Sequence, residues 1–164
     1  MNEILEKFEN YVRGKRVALL GFGISNRAAV DFLLSMGAIL SVRDQNPVLD
    51  AAETERLSSL GVQMICGAHY LADITEDIVL KSPGIRYDVP ELLAAAEKGS
   101  VITSEMEIFV SLCPATIFAV TGSDGKTTTT TVTAKMLETT GKRVYLGGNI
   151  GTPLLARVGE MTAQ

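Results

Sequence analysis

The clearest chemical signal in the sequence is a short glycine-rich run at residues 122–127, with the letters GSDGKT. It follows the apolar stretch 117–120 and precedes a helical pattern, a setting in which backbone N–H groups can close around phosphate oxygens. Lys126 would reach the β- and γ-phosphates of a nucleotide, and the Thr127 hydroxyl would bind Mg²⁺. The alternative is a plain strand-to-helix turn with a surface lysine. The residues expected to contact the nucleotide are Gly122, Ser123, Asp124, Gly125, Lys126, Thr127 and Thr128.

The phosphate loop departs from the general GxxxxGK[ST] spacing, because Val120 stands where the first glycine is usual. A threonine run, residues 127–131, continues into the helix that follows. β-Branched residues lose rotamer freedom in helices. For residues 129–131 we therefore expect hydroxyls that bond back to helical carbonyls.

A second nucleotide pattern lies near the N-terminus, where the letters GFGISN occupy residues 21–26. This run resembles GxGxxG with Asn26 in place of the last glycine, and it follows an apolar strand. Asp44 ends the next strand about twenty residues on, where an acid would meet a ribose hydroxyl. The alternative is a tight strand-to-helix turn. The expected ligand contacts are Gly23, Ile24, Ser25 and Asp44.

Two further loops follow predicted strands and could line a ligand site. Ser82, Pro83 and Gly84 come directly after a strand, at an end that can border a ligand crevice. Residues 147–151 (GGNIG) follow a later strand, and their glycines permit close approach of backbone to ligand. The Asn149 amide could bind a metal-bound phosphate or a substrate carboxylate. The alternatives are a simple turn and a flexible loop.

Composition and charge argue against several classes of function. The chain has 164 residues and a formal net charge of −4, and its basic residues are scattered, which argues against a nucleic-acid partner. Cys66 and Cys113 lie outside any Cys/His cluster, so reduced thiols are expected rather than a zinc site. No apolar run approaches the roughly 18 residues of a membrane span, and no signal-peptide pattern begins the chain. We expect a cytoplasmic monomer without a membrane partner.

These residues must be positioned by an alternation of strands and helices that runs through the whole chain. Such alternation predicts an α/β fold with a mostly parallel sheet and helices on both faces. The domains are expected at residues 1–113 and 114–164. The strands are predicted at residues 16–21, 38–43, 62–66, 77–81, 101–103, 116–121 and 143–146. The helices are predicted at residues 3–12, 28–36, 50–60, 90–98, 105–112 and 126–140.

The second unit has only two predicted strands and one helix, which would leave a sheet face and its edges uncovered. We therefore expect the chain to be part of a longer protein. Glu105 and Glu107, near the domain junction, are interpreted as a solvated helix start.

Taken together, the loops resemble those of the Mur ligases, and the resemblance extends over essentially the whole chain. Residues 122–127 are similar to that family's short phosphate loop, G-T/S-N-G-K-T/S, with Asp124 in place of Asn. Residues 148–151 (GNIG) are similar to its next loop. Residues 82–85 (SPGI) and 104–107 (SEME) resemble parts of its first domain. Among these ligases the chain looks most like the D-glutamate-adding members.

The resemblance implies an ATP-dependent amide ligase of peptidoglycan synthesis. It also implies a Rossmann-like parallel-sheet domain followed by the start of a P-loop ATP-binding α/β domain. ATP would phosphorylate the carboxylate of UDP-N-acetylmuramoyl-L-alanine, and the amine of D-glutamate would attack the acyl phosphate. Lys126 and Asn149 would be catalytic, whereas residues 23–25, 44 and 82–84 would line the UDP-sugar site. Arg43 is a candidate for contacts to uracil. The family's later metal ligands and its D-glutamate site lie beyond this sequence, so we expect the chain alone to be inactive.

Three other functions fit parts of the sequence. Another ligase of the same superfamily would share the phosphate loop, although folylpolyglutamate synthases lack the preceding nucleotide-binding domain. An NAD-binding oxidoreductase would account for Gly21, Gly23 and Asp44 but not for Lys126. A non-catalytic nucleotide-binding module is the third alternative.

Overall fold

The computed structural model describes residues 3–148 and 152–163. Its strands are β1 Arg16–Leu20, β2 Ile39–Asp44, β3 Gln63–Cys66, β4 Ile78–Lys81 and β5 Val101–Thr103. Its helices are α1 Glu3–Val12, α2 Ile24–Ser35, α3 Ala51–Ser59, α4 Pro90–Glu97, α5 Glu105–Leu112 and α6 Lys126–Glu138. A 3₁₀ helix, Leu155–Glu160, follows them.

The five strands form one parallel sheet in the order β3-β2-β1-β4-β5. The chain builds outward from β1 to β3 and then returns to the other side of β1 with β4. The order therefore reverses between β1 and β4. In open α/β sheets, ligands bind in the crevice outside the carboxyl ends of the strands at such a point.

The composition of the strands matches a sheet that is covered on both faces. In β1, with the letters RVALL, only Arg16 is exposed, as expected for a strand buried on both sides. Val17 and Leu19 face a core that contains apolar residues of α1, α2, α3 and α5. Ala18 and Leu20 face a second core built by α4 and Ile74.

Local signals set the helix starts that matter for the sites. Asp50 caps α3 by accepting hydrogen bonds from the backbone N–H groups of Ala52 and Glu53. Ser104 caps α5 by accepting from the Glu107 N–H. The start of α2 at Gly23 and the start of α6 at Gly125 have no side-chain cap. Their first backbone N–H groups are consequently open to another acceptor.

The predicted parallel-sheet domain is confirmed, with element bounds within a few residues of those expected. The predicted beginning of a second α/β layer is wrong for its strands, because residues 116–121 and 143–146 form no strand. A strand needs a neighbour for its backbone groups, and in the described part of the chain no strand lies beside either segment. Phe118 is 64% exposed as a result. Of the two strands and one helix predicted for this unit, all of which lie among the described residues, helix α6 alone is formed.

The last described segment returns to the first domain. Leu155 and Val158 are fully buried, and with Leu154 and Met161 they join the core that contains α2 and α5. The 3₁₀ helix packs against both of these helices. The division into residues 1–113 and 114–164 stays a prediction, but residues 154–161 complete the packing of the sheet domain.

Candidate functional site

The crevice between β1 and β4 depends on a close approach that only glycine permits. Gly21 follows β1 with a φ of +79°, and a side chain at this position would collide with Ser82 Oγ. The Ser82 N–H donates to the Leu20 carbonyl at 2.8 Å, and the Gly21 N–H donates to the Arg43 carbonyl at 2.7 Å. The two loops predicted to bind ligand, residues 21–25 and 82–84, are thus brought together at the carboxyl edge of the sheet.

Asn26 connects the two strands that border this crevice, a role that was not predicted from the sequence. It is 2% exposed, and its side-chain Nδ2 donates to the carbonyls of Leu20, Gly21 and Leu80 at 2.9–3.2 Å. The amide therefore connects β1 to β4. The signal was available in the replacement of the last glycine of GxGxxG by a residue with a strong donor.

The N-terminus of α2 faces open space next to the crevice. A side chain built at Gly23 would meet no atom within 4 Å, and Ile24 is 79% exposed. Since the first turn of α2 has no side-chain cap, its N–H groups and the helix dipole favour an anion here. The geometry at Gly23, Ile24 and Ser25 suits a phosphate group, and contact with a ligand stays a prediction.

Asp44 lies where the pattern places it, at the end of β2, and it organises both neighbouring loops. Its Oδ2 accepts from the Phe22 N–H at 2.6 Å, and its Oδ1 accepts from the Asn46 N–H at 2.8 Å. The carboxylate is buried and connects the loop after β1 to the loop after β2. The predicted ribose contact would use the remaining lone pairs of the same oxygens.

Arg43 is not available for a contact to uracil, and that expectation is wrong. Its side chain is 4% exposed and pairs with Glu76 at 2.8 Å. The Arg43 Nη1 atom also donates to the carbonyls of Tyr70 and Ala72. Burial alone would raise the pKa of Glu76, but hydrogen bonds from Arg43 and Ser41, with the charge of Arg43, hold that pKa below its usual value. This buried network fixes the loop before β4.

The predicted phosphate loop leads directly into the N-terminus of α6. Gly125 adopts a left-handed conformation with a φ of +71° directly before α6. The Lys126 Nζ donates to the carbonyls of Gly122 and, at 3.0 Å, Ser123. The ammonium thus lies across the loop, where phosphate oxygens would replace these carbonyls as its partners. Ser123, Asp124, Thr127 and Thr128 are exposed around it.

Two predicted hydrogen bonds of the threonine run are present in α6. The Thr130 hydroxyl donates to the Lys126 carbonyl at 2.7 Å, and the Thr131 hydroxyl donates to the Thr127 carbonyl at 2.8 Å. Thr127 is exposed in the first turn of α6, and its contact with Mg²⁺ stays a prediction. Among residues 3–148 and 152–163, no cluster of three or more His, Cys, Asp or Glu side chains could hold a metal ion.

Glu105 differs from the expected solvated helix start, whereas Glu107 is exposed as expected. Glu105 is 5% exposed, and its Oε1 accepts from the Leu155 N–H at 3.0 Å. Burial raises the pKa of this carboxyl, and the Leu155 hydrogen bond offsets part of the effect. Glu107 accepts from the hydroxyls of Thr103, Ser104 and Tyr87. Asn149 and Gly151 lie outside the described residues.

No helix in the described part of the chain is long and apolar enough to cross a membrane. A family model for the N-terminal domain of MurD-like Mur ligases matches residues 15–104. The UDP-N-acetylmuramoylalanine--D-glutamate ligase of Acetivibrio thermocellus is 45% identical over 163 residues, which cover 98% of this chain and 35% of that protein. The ligase of the same name from Clostridium kluyveri is 43% identical over 164 residues, which cover 99% and 36%.

The chain spans about a third of the length of these curated relatives. A solved structure of the UDP-N-acetylmuramate-alanine ligase from Thermotoga maritima is 28% identical with a TM-score of 0.48. That comparison covers 83% of this chain and 32% of the solved chain.

Proposed function

Since the chain belongs to the Mur ligase family, we propose that it contributes the UDP-sugar site and the phosphate loop to a ligase that joins D-glutamate to UDP-N-acetylmuramoyl-L-alanine. The names of its relatives in Acetivibrio and Clostridium support this choice of acceptor and amino acid. The matched region, residues 15–104, contains the entire crevice. No comparison favours an NAD-binding oxidoreductase.

In the proposed reaction, a carboxylate oxygen of the UDP-sugar attacks the γ-phosphorus of ATP, and ADP leaves. The amine of D-glutamate then attacks the acyl carbon, phosphate leaves with the C–O bond electrons, and the amine loses a proton to give the amide. Phosphoryl transfer depends mainly on positioning and charge neutralisation. Mg²⁺ bound beside Thr127 would supply part of that neutralisation.

The chain's own residues have separate parts in this reaction. Gly23, Ile24, Ser25, Asp44 and the 82–84 turn would hold the UDP-sugar at the crevice. Lys126 would move from the loop carbonyls of Gly122 and Ser123 to phosphate oxygens, with the α6 N-terminus behind it. Asn149 would contact the metal-bound phosphate or the reacting carboxylate.

The observation that carries the substrate assignment is the approach of Gly21 to Ser82 at the switch point. We expect calorimetry to detect binding of UDP-N-acetylmuramoyl-L-alanine, and of UDP-N-acetylmuramic acid more weakly, without binding of NAD. Gly21→Ala, which pushes the 82–84 turn away, should weaken binding of the UDP-sugar at least about tenfold.

Gly159→Ala is the matched control, because a side chain there meets no atom within 4 Å. The assignment is wrong if the folded wild-type chain binds no UDP-sugar, or if it binds NAD instead.

A further inference from the structure

Lys81 is a buried charged residue beside the crevice whose burial is compensated only in part by its contacts with the described residues. It is the last residue of β4, directly before the 82–84 turn, and it is only 6% exposed. Lysine is almost never buried to this extent unless it is paired with an acid. The proposed function above does not use it.

No ion pair of the described residues includes Lys81. The acids near Lys81, in the sequence or through Tyr87, are engaged elsewhere. Glu76 pairs with Arg43 at 2.8 Å, and Asp77 pairs with Arg16 at 3.8 Å. Asp88 pairs with Arg86 at 2.6 Å, and Glu107 accepts from the Tyr87 hydroxyl at 3.0 Å. The ammonium contacts the Tyr87 ring, 4.1 Å from its centroid, and donates to the Ser82 carbonyl at 3.4 Å.

These contacts replace only part of the hydration that the ammonium loses. An ammonium has three donors, and here it makes one long hydrogen bond and one cation–π contact. Burial of a charge without a carboxylate is unfavourable, and an apolar side chain of similar length would stabilise the fold at least as well. Residues that cost stability in this way are concentrated at functional sites.

Tyr87 covers the Lys81 ammonium with its ring. The residue is 48% exposed, and its hydroxyl donates to Glu107, itself an exposed side chain. The phenol therefore lies between solvent at the carboxyl edge of the sheet and the Lys81 ammonium. Displacement of the ring would open the ammonium toward the 82–84 turn.

We propose that Lys81 binds an anionic oxygen of the crevice ligand, with Tyr87 occupying that place in the ligand-free protein. The inference rests on the proposed function, since the ligand is the UDP-sugar, which carries phosphates and a carboxylate. Charge-assisted hydrogen bonds to such groups are stronger than neutral ones. The ligand would thus supply the counter-charge that the described residues lack.

The test is Lys81→Met in the 164-residue chain, measured by calorimetry with UDP-N-acetylmuramoyl-L-alanine and by thermal unfolding. We expect affinity to fall at least about tenfold, while Tm stays unchanged or rises. As the control, Lys98→Met removes the same charge from an exposed site at the end of α4 and should change neither the affinity for the ligand nor Tm. Titrations with UDP and UDP-N-acetylglucosamine identify the anion that Lys81 binds. If Lys81→Met weakens the binding of all three ligands, the anion is the diphosphate; if it weakens the binding of the muramoyl ligand alone, the anion is the carboxylate.

The inference is wrong if Lys81→Met binds the ligand as tightly as the wild type does. It is also wrong if the loss of affinity is accompanied by a lower Tm, because Lys81 would then support the fold rather than bind the ligand. Tyr87→Leu uncovers the ammonium and should bind UDP-N-acetylmuramoyl-L-alanine as tightly as the wild type or more tightly; weaker binding also overturns it. A wild-type chain that binds no UDP-sugar defeats the proposed function instead. The two failures are therefore distinguishable.

Discussion

Single polar side chains shape the crevice together with its glycines. Asp44 and Asn26 form hydrogen bonds with five backbone groups at or near the carboxyl ends of β1, β2 and β4, and these partners cannot be predicted from the sequence. The GxGxx pattern predicts where Asp44 lies because strand ends meet at one edge of a parallel sheet. It does not predict that both carboxylate oxygens are already engaged by backbone N–H groups.

Glu76 gives this chain a specific dependence of stability on pH. Its folded pKa is lower than its unfolded value, so its contribution is fully present above the unfolded pKa, near 4.5, and is lost as pH falls through the folded pKa. Glu76→Gln should lower the free energy of unfolding at pH 7 by about 3–5 kcal/mol, because Arg43 loses its buried partner. The difference from wild type should shrink below pH 4.5.

Urea unfolding between pH 3 and 7 measures this difference, with the exposed Glu91→Gln as the control. Glu105 acts in the opposite direction, since its raised pKa means that its contribution is lost as pH rises. Comparison of each variant with wild type removes that background. A pH-independent difference for Glu76→Gln would contradict the prediction.

The secondary-structure elements of the first domain could be predicted because each carries its own signals. Apolar runs such as residues 17–20 and helix ends such as Gly37 and Gly61 are local, and five strands were available to satisfy one another. The segments 116–121 and 143–146 have equally good strand patterns but find no partner. Strand formation depends on pairing that the local sequence does not contain.

The 3₁₀ helix was not predicted, since residues 155–160 have no clear periodicity, yet it is an integral part of the core. Leu155 is fully buried between α2 and α5, and its N–H bonds to Glu105. Leu155→Ala should therefore reduce the free energy of unfolding of the sheet domain by about 2–5 kcal/mol. Leu93→Ala, at a leucine that is 51% exposed on α4, should cost far less. Equal losses in chemical denaturation would show that the packing of Leu155 is not required.

At the level of the whole molecule, the two candidate sites have unequal support. The crevice lies at the edge of a sheet that has a hydrophobic core on each face. Helix α6, in contrast, buries only Ala134 and leaves Val132 and Met136 exposed. A cleft of about 640 Å³ separates the segments 115–120 and 141–147 where a central sheet is expected. Stability should consequently be highest in β1, β2 and β4 and lowest around the phosphate loop.

This arrangement predicts how the chain responds to limited proteolysis. Trypsin should cleave at the exposed Arg143, which lies in a segment without regular structure. The C-terminal product would still carry residues 154–161, whose apolar side chains fill the first core. Native mass spectrometry should therefore detect the two fragments as a complex that separates in urea and dissociates readily in Leu155→Ala. Recovery of the N-terminal fragment alone from native gel filtration would mean that the tail is only loosely attached to the sheet domain.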